Sequence, residues 1–278
     1  MGSLLTKLKH KMASAPKLRV LCFGDSLTAG YASWGAIHHP YQEMLEQILS
    51  MAYPDLKVET LEDGVPGAMV KNGFQTRMNA HFSGPKEKKK RSADEEGSQD
   101  GQGFDWAIVL GGTNDLAVGF PVEDIFEALK EVWNVPLAHK CKVLALTVPE
   151  TGSKGAIRER MDARRNKLND LIKGYKRENF HVFDLNAVLP YHALSEQDRT
   201  RYWDDLVHLT PDGYDWMGNK IGVALVSLLA AEKANSPQRP QKRRRIFKGD
   251  DNQFEEEKED GEGGIERGYV VVRRVDLE

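Results

Sequence analysis

A serine, a histidine, an aspartate and an asparagine stand in short blocks along this chain, together with one well-placed glycine. The blocks are Gly24-Asp25-Ser26-Leu27, Val65-Pro66-Gly67, Gly112-Thr113-Asn114-Asp115 and Asp205-Leu206-Val207-His208. A serine hydroxyl is a poor nucleophile until a neighbouring base takes its proton. His208 is the candidate base. Residues three apart share one side of a helical turn, so the Asp205 carboxylate is expected to accept the His208 Nδ1–H. Such a bond fixes the tautomer, leaves Nε2 free for the serine proton, and stabilises the imidazolium that results. An oxyanion also needs preorganised donors. The Ser26 N–H, the Gly67 N–H (with no side chain to obstruct approach) and the Asn114 amide supply three. Together these groups make up the set that acyl transfer through a serine requires.

Each block also has a plainer reading. Gly24-Asp25-Ser26 is a loop or a helix cap, Gly67 a turn after Pro66, Gly112–Asp115 a capping loop, and Asp205–His208 surface charge. The plain readings have to hold four times over, in order.

The elements between the blocks say where these groups go. Leu18–Phe23, Lys57–Leu61, Trp106–Leu110, Lys142–Val148 and Phe180–Leu185 are apolar or strand-like runs, and several stop at glycine. Between them lie helical stripes. Tyr41, Met44, Leu45, Ile48 and Leu49 form the first, and Val70, Phe74 and Met78 the second. A third follows Pro121 with Val122, Ile125, Phe126, Leu129, Val132 and Trp133. The fourth carries Ile157, Met161, Leu168, Leu171 and Ile172. The last helix is expected from Pro211, capped by Thr210, with Tyr214, Met217, Ile221, Leu225 and Leu228 inward. Alternating strands and helices predict a parallel sheet with helices on both faces. Ligands of such sheets bind beyond the carboxyl ends of the strands, where strand order reverses. Ser26, Gly67 and Asn114 each fall just past an expected strand end.

Composition narrows the classes. With 278 residues, 40% of them hydrophobic, the chain can build one good-sized core, read here as residues 18–235. A net charge of −3 disfavours a dedicated nucleic-acid binder. The two cysteines, Cys22 and Cys141, sit in apolar runs and read as buried thiols, with no metal site implied. No apolar run approaches the roughly 20 residues of a membrane span. Residues 1–17 read as a flexible leader, 84–103 as a disordered charged insertion and 236–278 as a disordered charged tail, the last with a strand-like stretch at Gly268–Val272.

Without an apolar signal region the expected location is the cytoplasm. Met1-Gly2-Ser3-Leu4-Leu5-Thr6 nevertheless fits a loose myristoylation pattern, and the same acid-free stretch also reads as a mitochondrial leader. Lys86–Arg91 and Arg243–Arg245 read either as nuclear-import signals or as solvated charge runs.

The four blocks resemble those of the SGNH hydrolases, the GDSL esterase/lipase family, over roughly residues 18–233 outside the insertion. Ser26 matches the family serine in Gly24-Asp25-Ser26-Leu27-Thr28, and Gly67 its glycine. Asn114 matches its asparagine, and His208 its histidine in Asp-x-x-His, continued by Leu209 and Gly213-Tyr214. One departure is Ala68, where the family commonly has Asp. The resemblance implies a flavodoxin-like three-layer α/β/α sandwich with a five-stranded parallel sheet, and no cofactor. It implies a serine esterase acting on small-molecule esters with short acyl chains, through Ser26, His208 and Asp205. The chain has no Gly-x-Ser-x-Gly elbow, no Gly-x-Gly-x-x-Gly after a strand and no P-loop lysine motif, so the ordinary α/β-hydrolase arrangement and a nucleotide site are disfavoured.

The alternative is a silent relative that binds carbohydrate or lipid, or acts through its charged tail. Tyr31, Trp34, His38, His39, Leu116, Phe120, Tyr191 and Trp203 are candidates for lining the acyl or alcohol pocket, or equally for core and loop anchors. No oligomeric state follows from the residues.

Overall fold

The computed structural model describes residues 16–83 and 103–235. In chain order come β1 (Lys17–Gly24), α1 (Ser26–Ala29), β2 (Tyr31–Ala32), a tight turn (Ser33–Gly35), β3 (Ile37–His38), α2 (Gln42–Ala52), β4 (Lys57–Gly64) and α3 (Phe74–Phe82). There follow β5 (Trp106–Val109), α4 (Thr113–Val118), α5 (Val122–Ala138), β6 (Lys142–Leu146), α6 (Gly155–Gly174) and β7 (Phe180–Phe183). The chain then forms α7 (Leu185–Val188), α8 (Glu196–Tyr202) and α9 (Pro211–Asn235).

Five strands make one parallel sheet in the order β4-β1-β5-β6-β7. This is the doubly wound order of the flavodoxin-like sandwich, and it reverses between β1 and β5. The register from Lys17 opposite Lys57 to Gly24 opposite Gly64 brings the ends of β1 and β4 level. The loops that carry Ser26 and Gly67 therefore leave the sheet side by side.

The core follows the period-two alternation of the strands. Leu21 and Phe23 of β1, with Ala107 and Val109 of β5, pack against Phe74 and Met78 of α3 and Ile125, Leu129 and Trp133 of α5. Val20, Cys22 and Ile108 alternate with them and are fully buried too. Strands covered on both faces read as unbroken apolar runs, which is why these were visible in the sequence. Burial pushes both free thiols, Cys22 and Cys141, up to about 12, so neither is a reactive thiolate.

Several expectations shift. The second helix begins at Phe74, so Val70 belongs to the preceding loop. Ile157 is 60% exposed and lies off the buried face of α6. The first strand begins at Lys17, inside the expected leader. Thr210 caps α9 as expected: its Oγ1 accepts from Gly213 N at 3.2 Å and its carbonyl from Tyr214 N at 2.9 Å. The β2–β3 hairpin, α7 and α8 had no sequence signal. Residues 1–15, 84–102 and 236–278, with the basic clusters, the myristoylation pattern and Gly268–Val272, lie outside the described residues. Contacts divide the chain after Leu228, leaving the last turns of α9 to the second unit. Among the described residues no helix is long and apolar enough to cross a membrane.

Candidate active site

β1 ends at Gly24, where a Cβ would fall 2.2 Å from Thr28 Oγ1 and 2.6 Å from the Leu110 carbonyl. Only glycine lets the chain turn this close to the end of β5. The Asp25 side chain then caps α1, its Oδ1 accepting from Leu27 N at 3.0 Å, while the Asp25 carbonyl takes Thr28 N and Ala29 N. Ser26 is the first residue of α1 and 6% exposed. Its N–H has no acceptor among the described residues.

Asp25 is buried beside it, and its Oδ2 has no hydrogen-bond partner among the described residues. Burial raises this carboxyl to about 6, against the opposing pull of the Leu27 N–H and the His208 ring.

The His208 ring faces Ser26 across the rim of the sheet. Its Nε2 lies 3.0 Å from Ser26 Oγ, although the two residues are 182 positions apart. Its Nδ1 lies 2.8 Å from Asp205 Oδ2. No helix carries this pair. Asp205 Oδ1 accepts from Val207 N at 2.7 Å and His208 N at 2.6 Å, so the carboxylate folds its own loop into an Asx-type turn. Burial alone would raise the Asp205 carboxyl. The hydrogen bonds from the His208 ring and from the His208 and Val207 backbone outweigh it and hold the group below the usual aspartate value.

The glycine and asparagine blocks are joined to each other. Val65-Pro66-Gly67-Ala68 is a turn closed by Ala68 N to Val65 O at 3.0 Å, with Gly67 at φ +75°. Proline followed by a left-handed glycine is the type II pattern. Asn114, on α4, donates from Nδ2 to the Ala68 carbonyl at 2.9 Å, which leaves its second amide hydrogen. Asp115 is fully buried and accepts from Val70 N at 2.9 Å and Lys71 N at 3.0 Å. Val65 N reaches Gly24 O at 3.2 Å, tying this loop to the serine turn.

Some positioning residues escaped the sequence reading. Arg77 of α3 donates from Nη2 to the Asp63 carbonyl (2.6 Å) and carboxylate (2.7 Å), and from Nη1 to the Gly24 carbonyl (3.2 Å). Its guanidinium lies 4.5 Å from the Phe23 ring centroid. The ends of β1 and β4 are thereby clamped just ahead of Ser26 and Gly67. Asp115 stands in a block that was singled out, yet its role lies in backbone bonds that no residue spacing reveals.

The pocket candidates divide. Tyr31 is half-buried against His208, and His38 stands edge-on to its ring at 6.1 Å. His39 is bonded to Asp215 at 2.8 Å. Trp34 is 92% exposed at the hairpin tip. Phe120 is half-buried, with Lys71 Nζ 5.8 Å from its ring centroid and Arg164 on its carbonyl. Tyr191 and Trp203 are buried and pack edge to face at 5.1 Å, the Trp203 N–H already donated to Pro190 O. They floor an open depression beside Asp205 and Leu206. Leu116 is buried and, next to Thr113, lines a small recess with Val148, Pro149, Thr151, Met161 and Arg165.

A doubly wound sheet with these blocks converging at its carboxyl end defines a class first, the α/β/α carboxylic ester hydrolases of the GDSL type. The family model for GDSL-like lipases/acylhydrolases matches residues 22–216, and the chain belongs to that family.

Solved structures share the fold. An α/β hydrolase enzyme from the metagenome of Lake Arreo is 19% identical, with a TM-score of 0.53 over 77% of this chain and 97% of that one. A member of the lipolytic G-D-S-L family from Veillonella parvula is 19% identical, with a TM-score of 0.51 over 73% and 95%. An acetylxylan esterase from Geobacillus stearothermophilus is 17% identical, with a TM-score of 0.51 over 75% and 94%. No match to a curated protein was found.

Proposed function

We propose that this chain hydrolyses small carboxylic esters with Ser26 as nucleophile, His208 as general base and acid, and Asp205 as its orienting carboxylate. The observation that carries the reading is the unbroken run Ser26 Oγ–His208 Nε2–His208 Nδ1–Asp205 Oδ2, at 3.0 and 2.8 Å. Both distances lie within hydrogen-bond reach for proton transfer.

In the first step His208 Nε2 takes the Ser26 hydroxyl proton as Oγ adds to the ester carbonyl carbon. The Ser26 N–H, the Gly67 N–H and the remaining Asn114 amide hydrogen donate to the oxyanion. His208 then gives the proton to the leaving alkoxide as the carbon–oxygen bond breaks, and an acyl-serine remains. A water molecule, deprotonated by His208, adds to that acyl carbon. Collapse expels Ser26 Oγ, which recovers its proton, and the carboxylic acid leaves.

The preferred acyl group is short. The acetylxylan esterase fold-mate cleaves acetyl groups by its name, which points to the same size class.

The test is hydrolysis of p-nitrophenyl acetate against butyrate and octanoate by the wild-type chain and a Ser26→Ala variant. Turnover should favour the short esters and fall to background in the variant, with an unchanged thermal midpoint. Undiminished turnover in folded Ser26→Ala would end the nucleophile assignment, and a preference for octanoate would end the short-acyl assignment.

A further inference from the structure

We propose that Tyr31 is a positioning residue for His208: the β2–β3 hairpin presses the Tyr31 ring against the imidazole and keeps Nε2 aimed at Ser26. The inference rests on the reading of His208 as the base, and it adds a restraint which that reading does not contain.

The need for a restraint is physical. A histidine held only through Nδ1 can still swing about its two side-chain torsions. Its anchor here is a short turn in which Asp204, Asp205 and Leu206 are exposed. The Asp205 carboxylate therefore fixes the tautomer without by itself fixing the ring. The Tyr31 ring supplies a wall, with centroids 4.7 Å apart and planes inclined by 51°. That separation is in the range at which aromatic rings attract.

The wall is itself held from several sides. The Tyr31 carbonyl accepts the buried Tyr214 hydroxyl at 2.7 Å. Ser33 N donates to Asp204 Oδ2 at 2.7 Å, binding the hairpin to the residue next to Asp205. His39 N closes the base of the hairpin on Gly30 O at 2.8 Å. The tip bends back through three successive left-handed residues, Ser33 (φ +50°), Trp34 (φ +58°) and Gly35 (φ +86°). Two of them carry side chains, a conformation that persists only where the surroundings enforce it. The bend lays the Gly35 backbone on Tyr31 so closely that a Cβ there would stand 2.9 Å from Cε2. The Tyr31 hydroxyl has no hydrogen-bond partner among the described residues. The contact with His208 is made by the ring.

The experiment compares the full-length wild-type chain with Tyr31→Phe, Tyr31→Leu and Asp204→Ala. The readouts are kcat and KM on p-nitrophenyl acetate, the rate of fluorophosphonate labelling at Ser26, and the His208 ring signals in proton–carbon NMR. Tyr31→Phe should stay within about twofold of wild type. Tyr31→Leu should lose about 10–100-fold in kcat and in labelling rate with KM nearly unchanged, the scale expected of a displaced catalytic group. Its His208 signals should lose the ring-current shift present in wild type and in Tyr31→Phe.

Asp204→Ala unties the hairpin without touching the ring and should show a smaller loss in the same direction. It decides the matter if Tyr31→Leu fails to fold. Full kcat in folded Tyr31→Leu, or a loss in Tyr31→Phe as large as in Tyr31→Leu, would overturn the proposal. An inert wild-type chain would instead refute the esterase reading. In that case the His208 ring-current shift still decides whether Tyr31 restrains the imidazole.

Discussion

Replacing Asp205 by asparagine should damage catalysis more than replacing it by alanine, although asparagine is the closer mimic. Asp205 Oδ1 accepts two backbone N–H groups while Oδ2 faces His208 Nδ1. An asparagine that keeps the two backbone bonds must turn its NH₂ toward Nδ1. Nδ1 is then forced to accept, the ring proton moves to Nε2, and Nε2 can no longer take the proton of Ser26. Flipping the amide sets its NH₂ against two N–H donors, so the wrong tautomer is locked in. Alanine leaves the ring free to sample both tautomers, with water in place of the carboxylate.

The magnitude follows from exposure. In a serine protease, where the aspartate is buried, the asparagine change costs about 10⁴ in kcat. The Asp205 side chain is 40% accessible, so solvent screens its field. We therefore expect a loss of about 10²–10³ in kcat/KM for Asp205→Asn, or about 2.7–4 kcal/mol. For Asp205→Ala we expect about 10–10², because the orienting bond is lost but the productive tautomer remains. The assay is kcat/KM on p-nitrophenyl acetate for the three proteins, with thermal melts to confirm folding. Asp205→Asn within threefold of wild type, or tenfold more active than Asp205→Ala, would refute the tautomer argument.

Two further substitutions test the scaffold. Asp115→Ala strands the buried Val70 N–H and removes the partner of the more exposed Lys71 N–H. At about 1.5–3 kcal/mol for the buried bond and less for the exposed one, stability in urea should fall by about 2–4 kcal/mol, and a loss under about 1 kcal/mol would contradict the clamp. Asp25, raised to about 6 by burial, binds a proton more tightly folded than unfolded. Its contribution is therefore fully present below about pH 4 and lost as pH rises through about 6, by on the order of 3 kcal/mol. Asp25→Asn should match wild type below pH 4 in urea unfolding and exceed it at pH 8. Equal stability at pH 8 would show that the carboxyl carries no burial penalty.

The central strands were legible because strands buried on both faces are written as contiguous apolar residues, as in Trp106–Val109, whereas the edge strand β4 has no buried residue and showed only strand-like alternation. The helices were legible from their stripes, with errors where backbone bonding decided the boundary. α3 starts at Phe74 because Asp115 pins Val70 and Lys71 as a loop. The spacing of Asp205 and His208 predicted a contact that does form, but through an Asx-type turn in place of a helix. The β2–β3 hairpin was hidden, since strands of two residues carry no periodicity and Ser33 and Trp34 are unusual left-handed residues. Trp203 and Tyr191 read as pocket candidates by residue type and place, but only the structure shows that they are buried and floor the depression beside Asp205. Arg77 gave no signal because most of its bonds go to main-chain carbonyls, which any sequence provides.

The central claim is that Ser26 carries an activated hydroxyl, and covalent trapping tests it most directly. Full-length protein treated with a fluorophosphonate and digested for mass spectrometry should carry a single adduct on the peptide containing Ser26. His208→Ala should slow its formation by at least about 10²-fold while the fold persists. A folded wild-type chain that stays unlabelled, or labelling that ignores the loss of His208, would contradict the account.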